Sequence, residues 1–249
     1  MLNSIYIKLL SYIIQIVDLK NKKKIISFFK NNFESDKLNI IDIGAHKGET
    51  INIFYNNFNI NKIIAFEANK LIFEKLKQNI NKKKTNKIEI INSGIGEKEE
   101  TKNLSIFNET SSSTFSDINK KSKYYQRKEK FLSFFKRKDE DLNYYAETKI
   151  FPLSSFKNLN NLNKIDILKI DTEGYELKVL KGINPSDFRK IRYIYFEHHY
   201  DLMLKKNYKY FDIMNFLNEH NFYVSLKIKM NFRKTFEYIY ENKKFESKS

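Results

Sequence analysis

Short blocks of β-branched and apolar residues alternate along this chain with stretches in which apolar positions recur every three or four residues. The first block, Asn39 to Ile43, has no helical stripe and matches a strand buried on both faces of a parallel sheet. From Glu49 to Phe58 the spacing changes. Ile51, Phe54, Tyr55 and Phe58 fall at i, i+3, i+4 and i+7, which predicts a helix. A second block, Lys62 to Glu67, predicts the next strand. A helix follows from Lys70 to Ile80, with Asn69 as its cap and Leu71, Phe73, Leu76 and Ile80 as apolar anchors. Further strands are predicted over Lys87 to Asn92, Lys164 to Asp171, Ile191 to Glu197, Phe222 to Ile228 and Thr235 to Tyr240. Helices are predicted from Glu173 to Lys181 and from Tyr208 to His220, the latter packing through Phe211, Met214, Phe216 and Leu217. The last two strands lack a long helix between them and predict a hairpin.

Seven strands alternating with helices predict an α/β sheet, and ligands of such sheets sit beyond the carboxyl ends of the strands. That rule brings Asp42, Glu67, Ser93, Asp171 and Glu197 to one edge. Gly44 and Gly48, directly after the first strand, allow a sharp turn and close approach of a ligand to the main chain. Glu67 ends the second strand roughly 20 residues further on, where a carboxylate accepts both hydrogens of a ribose diol. The turn reads G-x-x-x-G, without the middle glycine of the G-x-G-x-x-G that receives a pyrophosphate, which counts against a nicotinamide cofactor. S-adenosylmethionine carries no phosphate but has an α-ammonium and a sulfonium. An acid at the end of the first strand, Asp42, can orient that ammonium directly or through water.

The segments IIDIGAHKGET, IIAFEANKLIFEKLKQN, INSGIGEKEET, FPLSSF, DILKIDTEGYELKVLKGI and IYFEHH, in that order, resemble the FkbM family of S-adenosylmethionine-dependent O-methyltransferases. The resemblance runs from Ile40 to His199, and its most specific stretch is Leu168 to Gly182. Two departures flank the cofactor turns: His46 stands where the family often has Asn, and Glu67-Ala68-Asn69 replaces the usual Glu-Pro-Asn. The resemblance implies a Rossmann-like methyltransferase fold, a mostly parallel seven-stranded sheet with helices on both faces and an antiparallel final strand. It also implies methyl transfer to a hydroxyl of a small or glycosidic acceptor, such as a nucleotide-linked sugar or surface polysaccharide unit.

Methyl transfer to a hydroxyl needs alignment and removal of one proton. Candidate bases are Asp171 and Glu173 after the fourth strand and Glu197, His198 and His199 after the fifth, with Glu173 or His199 as the expected base and Glu197 orienting the acceptor. Neighbours on a strand diverge, so one of the two histidines is expected to point away from the crevice. Glu173 also suits a helix cap, and Glu197 also suits a salt bridge to Arg192 or Lys169. Ser93 and Gly94 are expected at the adenine edge, and Asp171 at the methionine end. Glu197-His198-His199 has no spacing diagnostic of a metal site, so no metal is expected.

Composition narrows the picture. The 249 residues suffice for one domain, read as a helical extension over 1–34 and a methyltransferase domain over 35–249 with a flap over 105–151. Absence of cysteine excludes disulfide scaffolds, thiolate zinc sites and cysteine nucleophiles and fits a cytoplasmic setting. The formal net charge of +16 draws in anions, which points to an anionic acceptor and leaves nucleic acid and an acidic membrane leaflet as lesser partners. Leu2 to Val17 is apolar but broken by Lys8, which suits an amphipathic helix packed on the domain, or on the inner face of a membrane with help from Lys20 and Lys22 to Lys24. The flap interleaves basic residues from Lys120 to Lys138 with Tyr124, Tyr125, Phe131, Phe134 and Phe135, suited to clamping a sugar or phosphate. Two other readings stand beside the O-methyltransferase: an RNA methyltransferase, and a non-catalytic membrane-surface protein on the same fold. Oligomeric state leaves no mark in the sequence.

Overall fold

The computed structural model describes residues 19–33, 36–83, 85–107, 113–123, 125–127, 143–160, 162–231 and 234–245. Leu2 to Val17 and most of the basic, aromatic part of the flap lie outside them.

Seven strands form the main sheet: β1 (Leu38–Ile43), β2 (Ile60–Phe66), β3 (Ile88–Ile91), β4 (Ile165–Ile170), β5 (Ile191–His199), β6 (Phe222–Lys229) and β7 (Thr235–Asn242). Their spatial order is β6-β7-β5-β4-β1-β2-β3. The contacts among β1 to β5 are parallel, and β7 runs antiparallel to both β5 and β6. The expected hairpin therefore forms, with β7 inserted beside β5 and β6 left at the edge. Every residue of β1 and of β4 is buried, which is why both are mostly apolar, with Asn39 and Asp42 in β1 and Asp166 and Lys169 in β4 as the polar exceptions. The chain travels outward from β1 to β3 and returns to β4 on the other side of β1, so connections diverge above the β1/β4 seam and open a crevice there.

Alternation of side chains along each strand divides the core into two layers. One layer joins Ile41, Ile43, Phe66, Leu168, Ile170 and Phe196 to helices α4 (Glu176–Lys181) and α5 (Tyr210–Glu219). The other joins Ile40, Ile63, Ile167, Tyr193 and Tyr195 to helix α1 (19–32), α2 (Glu49–Asn57) and α3 (Lys70–Asn81). Phe29 of α1 and Phe54 of α2 are both fully buried and touch. Burial of side chains of that size is worth about 1.5–3 kcal/mol each, which anchors α1 on the sheet. Among the described residues, no helix is long and apolar enough to cross a membrane.

Several local expectations shift. In α3 the buried stripe is Ile72, Leu76 and Ile80, at i, i+4 and i+8, while Leu71 is exposed. In α5, Ile213 and Leu217 face the core, Tyr210 and Phe216 pack at its margin, and Phe211 is exposed. Helix α4 begins at Glu176, since Glu173 and Gly174 have φ of 50° and 91° and cannot belong to a right-handed helix. The segment from 105 to 151, expected as one long connection, contributes to a second sheet. Glu100–Phe107 pairs antiparallel with Asn143–Phe151, and Gly94–Ile95 and Ser113–Thr114 complete four strands. Leu104 and Ile106 alternate with polar residues there, a period-2 signal masked by the surrounding charge.

Candidate active site

The turn after β1 is built by backbone. Gly44 and Gly48 have φ of 83° and 91°, and a Cβ on Gly44 would stand 1.9 Å from the carbonyl oxygen of Asp171. Glycine at 44 is thus what lets the exits of β1 and β4 touch. The amide of Asp171 donates to the Ile43 carbonyl at 2.9 Å, and the amides of Gly44 and Ala45 both donate to that of Phe66. Glu67, buried at the exit of β2, accepts the amide of His46 at Oε2 and the amide of Asn69 at Oε1, both at 2.8 Å. Burial raises its proton affinity. The Asn69 side chain caps α3 at the amides of Leu71 and Ile72 as expected, and also donates to Ser113 Oγ at 2.9 Å, tying the second sheet to the turn. Ser93 is buried, and its hydroxyl donates to the Gly94 carbonyl at 2.9 Å.

Strand register sets the rest. Asp42 lies beside Lys169, and Lys169 beside Tyr195. The Lys169 ammonium contacts Asp171 at 3.1 Å and Asp42 at 3.4 Å. Burial opposes its charge, but Asp171 and Asp42 outweigh burial and raise its proton affinity. Asp42 is 1% exposed and is not among the residues lining the cleft. The structure places this expected cofactor contact under the turn, where its penultimate position on β1 sets it against Lys169.

At the end of β5 the imidazole of His199 is wedged among acids. Its Nε2 lies 3.1 Å from Glu173 and 3.3 Å from Glu197, and its Nδ1 3.2 Å from Thr235 Oγ1 and 3.6 Å from Asp201. Burial opposes protonation, yet Asp201, Glu173 and Glu197 lift its pKa to about 11. The surrounding acids thus favour the imidazolium form, which has no lone pair to accept a proton. Glu197 is pushed up to about 8 by burial and by Asp171 and Glu173, against the pull of His199. The β5–β7 register sets Glu197 beside Glu237, whose carboxylate accepts the Tyr195 hydroxyl at 2.7 Å. His198 faces the opposite layer as strand alternation requires, buried and held neutral with a pKa lowered to about 3 by burial and Lys206.

Glu173 does not cap α4. Its strained turn is held instead by Glu176, which is 1% exposed and accepts the Gly174 amide at 2.7 Å and the Tyr208 hydroxyl at 2.5 Å. Thr114 adds a hydrogen bond to the Glu173 carbonyl at 2.6 Å. Sequence reasoning missed Glu176 and took Lys169 only as a candidate salt-bridge partner of Glu197; a charged residue inside an apolar helix or strand is the available signal for both.

These elements enclose one cleft of about 590 Å³. Gly44, Glu67, Ser93 and Gly94 line one end, Asp171, Glu173, Glu197 and His199 the other, and Asn21, Lys22 and Ile25 of α1 form a wall. Gly48 stands outside the lining and packs against Leu76. Among the described residues, no group of three or more His, Cys, Asp or Glu side chains is arranged to hold a metal ion.

The model of the methyltransferase FkbM domain matches residues 42–224. The chain belongs to that family. No curated protein sequence matches it. Among solved structures it is similar to the methyltransferase FkbM from Methylobacillus flagellatus KT, with a TM-score of 0.52 and 15% identity over 82% of this chain and 44% of that one. It thus spans less than half the length of that relative. A provisionally assigned RNA methyltransferase of Pyrococcus horikoshii gives a TM-score of 0.48 with 13% identity, covering 89% and 83% of the two chains. TrmK of M. capricolum, in complex with S-adenosylhomocysteine, gives 0.44 with 14% identity over 86% and 66%.

S-adenosylmethionine is the cofactor that goes with the FkbM domain, and the cleft fits it. Gly44 and Glu67 both line the cleft, and Glu67, which accepts one amide at each oxygen, retains a lone pair on each for a diol. The carboxylates at the far end suit a positively charged sulfonium.

Proposed function

We propose that this FkbM-family protein transfers a methyl group from S-adenosylmethionine to a hydroxyl of a polyol or sugar that is uncharged around the reacting position. The observation that carries this reading is the juxtaposition of Glu197, Glu173 and His199 in the same cleft as Glu67 and the glycine turn. When bound, the cofactor supplies a methyl carbon already activated by its sulfonium.

In this reading Glu67 holds the ribose, Ser93 and Gly94 border the adenine, and the Gly44 turn lies along the path of the tail. Glu197 takes the hydroxyl proton. A carboxylate with its pKa near the working pH is the more effective base, and burial has moved Glu197 there. Glu173 accepts a second hydrogen bond from the acceptor, and the His199 imidazolium fixes both carboxylates without taking the proton itself. The anionic acceptor inferred from total charge fits poorly with this wall. Asp171, Glu173, Glu197 and Glu237 line it, and the charge of Lys169 is balanced by Asp42 and Asp171. Hydroxyl groups, which donate hydrogen bonds, match such acceptors; phosphates do not. The basic surplus of the chain therefore belongs to its surface.

The test is incubation of the intact protein with methyl-tritiated S-adenosylmethionine and a panel of neutral sugars, their phosphates and mixed RNA. The expected result is label on a neutral sugar oxygen, lost in Glu197→Gln. Label on RNA or on a nitrogen would overturn the O-methyl reading.

A further inference from the structure

The polar side chains on the floor of the cleft alternate in charge. Asp42, Lys169 and Asp171 come from two adjacent strands, and the Lys169 ammonium is the bridge between the two aspartates. An ammonium has three N–H donors; Asp171 at 3.1 Å takes one and Asp42, at 3.4 Å, lies within reach of a second. Lys169 is only 7% exposed at its side chain, yet it lines the cleft, so its remaining donor capacity belongs to whatever lies there. Asp171 also lines the cleft and is 34% exposed, whereas Asp42 is sealed beneath. The floor therefore presents one positive and one negative group side by side, immediately against the Gly44 turn.

We infer that Lys169 receives the α-carboxylate of the cofactor's amino-acid tail and Asp171 its α-ammonium, while Asp42 serves as the buried counter-ion of Lys169. The assignment rests on the S-adenosylmethionine reading and adds a contact residue to it. An amino-acid head is a zwitterion, and an adjacent ammonium and carboxylate complement both of its charges. Asp42 completes the arrangement from below: it keeps Lys169 charged against burial and does not itself reach the ligand. A tail running from the ribose at Glu67 across the Gly44 turn arrives at this pair, because Asp171 is where the exits of β1 and β4 meet.

Calorimetry on the full chain tests this without any acceptor. The probes are S-adenosylhomocysteine, its analogue lacking only the carboxylate, S-adenosyl-3-thiopropylamine, and 5′-methylthioadenosine, which lacks the whole head. Wild-type protein is expected to bind S-adenosylhomocysteine roughly 10- to 100-fold more tightly than the decarboxylated analogue, the range of one charge-assisted contact. Lys169→Met is expected to erase that preference while changing affinity for the decarboxylated analogue by less than about threefold. Equal weakening of both ligands would mean that Lys169 only supports the fold, and equal wild-type affinity for both would also overturn the assignment. Because Lys169→Met leaves Asp42 buried without its ion, the pair Asp42→Asn with Lys169→Met is measured as well. It removes both charges and must show the same loss of preference. Failure of wild-type protein to bind any of the three probes would instead remove the cofactor reading, and this assignment with it.

Discussion

The two ends of the cleft hold their acids in opposite ways. At the β1–β2–β3 end, Glu67 is gripped by two main-chain amides, and the turn beside it depends on glycine conformation. At the β4–β5–β7 end, Asp171, Glu173 and Glu197 are held by cationic side chains, Lys169 and His199, that reach them across strand register. Backbone donors carry no titratable charge, so at the first end only the carboxylate of each contact can change its protonation. The second end is an ion network whose geometry and protonation are linked, as befits a place where a proton must move. Recognition and chemistry are thus separated along one groove by the kind of partner each carboxylate has.

The sharpest test of that separation is Glu197→Gln. The expected outcome is a loss of turnover of roughly 10²- to 10⁴-fold with affinity for S-adenosylhomocysteine within about threefold of wild type. In wild-type protein kcat/KM should rise with pH and level off above about 8, where Glu197 is ionised, and a surviving Glu197→Gln activity should lack that limb. A large loss of cofactor affinity in this variant would show that the two ends are one unit.

Gly44→Ala attacks the seam between the ends. The added Cβ meets the Asp171 carbonyl at 1.9 Å in a left-handed conformation, and urea unfolding should show about 2–4 kcal/mol of lost stability. Wild-type stability would mean that the exits of β1 and β4 do not touch.

Glu67→Gln has a smaller, local effect. One of the amides of His46 and Asn69 loses its acceptor, so stability should fall by about 1–2 kcal/mol and cofactor affinity roughly 10-fold, with the turnover of bound complex nearly unchanged. A drop confined to turnover would place Glu67 in the chemistry instead.

The gentlest probe is pH. The folded pKa of His199, about 11, lies above its ordinary value of 6.5, so the folded state binds more protons between these limits. Its contribution is complete below pH 6.5 and disappears as pH climbs through 11. Glu197, raised from 4.5 to about 8, acts with the same sign, favouring the folded state when protonated. The melting temperature should therefore fall from pH 7 to pH 10, and His199→Gln should flatten that decline. An unchanged slope in the variant would show that the imidazolium is not part of the network.

Much of the first end was legible in residue order. The apolar blocks, the glycine turn, the Asn69 cap and Glu67 are local features, and local features follow from spacing along one chain. The strands and their parallel pairing were legible as well, because strands buried on both faces are rich in β-branched apolar residues on both alternating faces. Less could be read where neighbours come from different strands. The burial of Asp42 beneath Lys169, the ring of acids around His199 and the part played by Glu176 all depend on which side chains stand across the sheet or beneath the turn.

Sequence alone determined the α/β order of elements, the FkbM relationship and the residues that could meet a cofactor. Tertiary structure alone decided which acids face the cleft, which face a counter-ion, and how strongly each holds its proton. Spacing along a chain specifies backbone periodicity, but burial and charge pairing are properties of atoms brought together from distant positions.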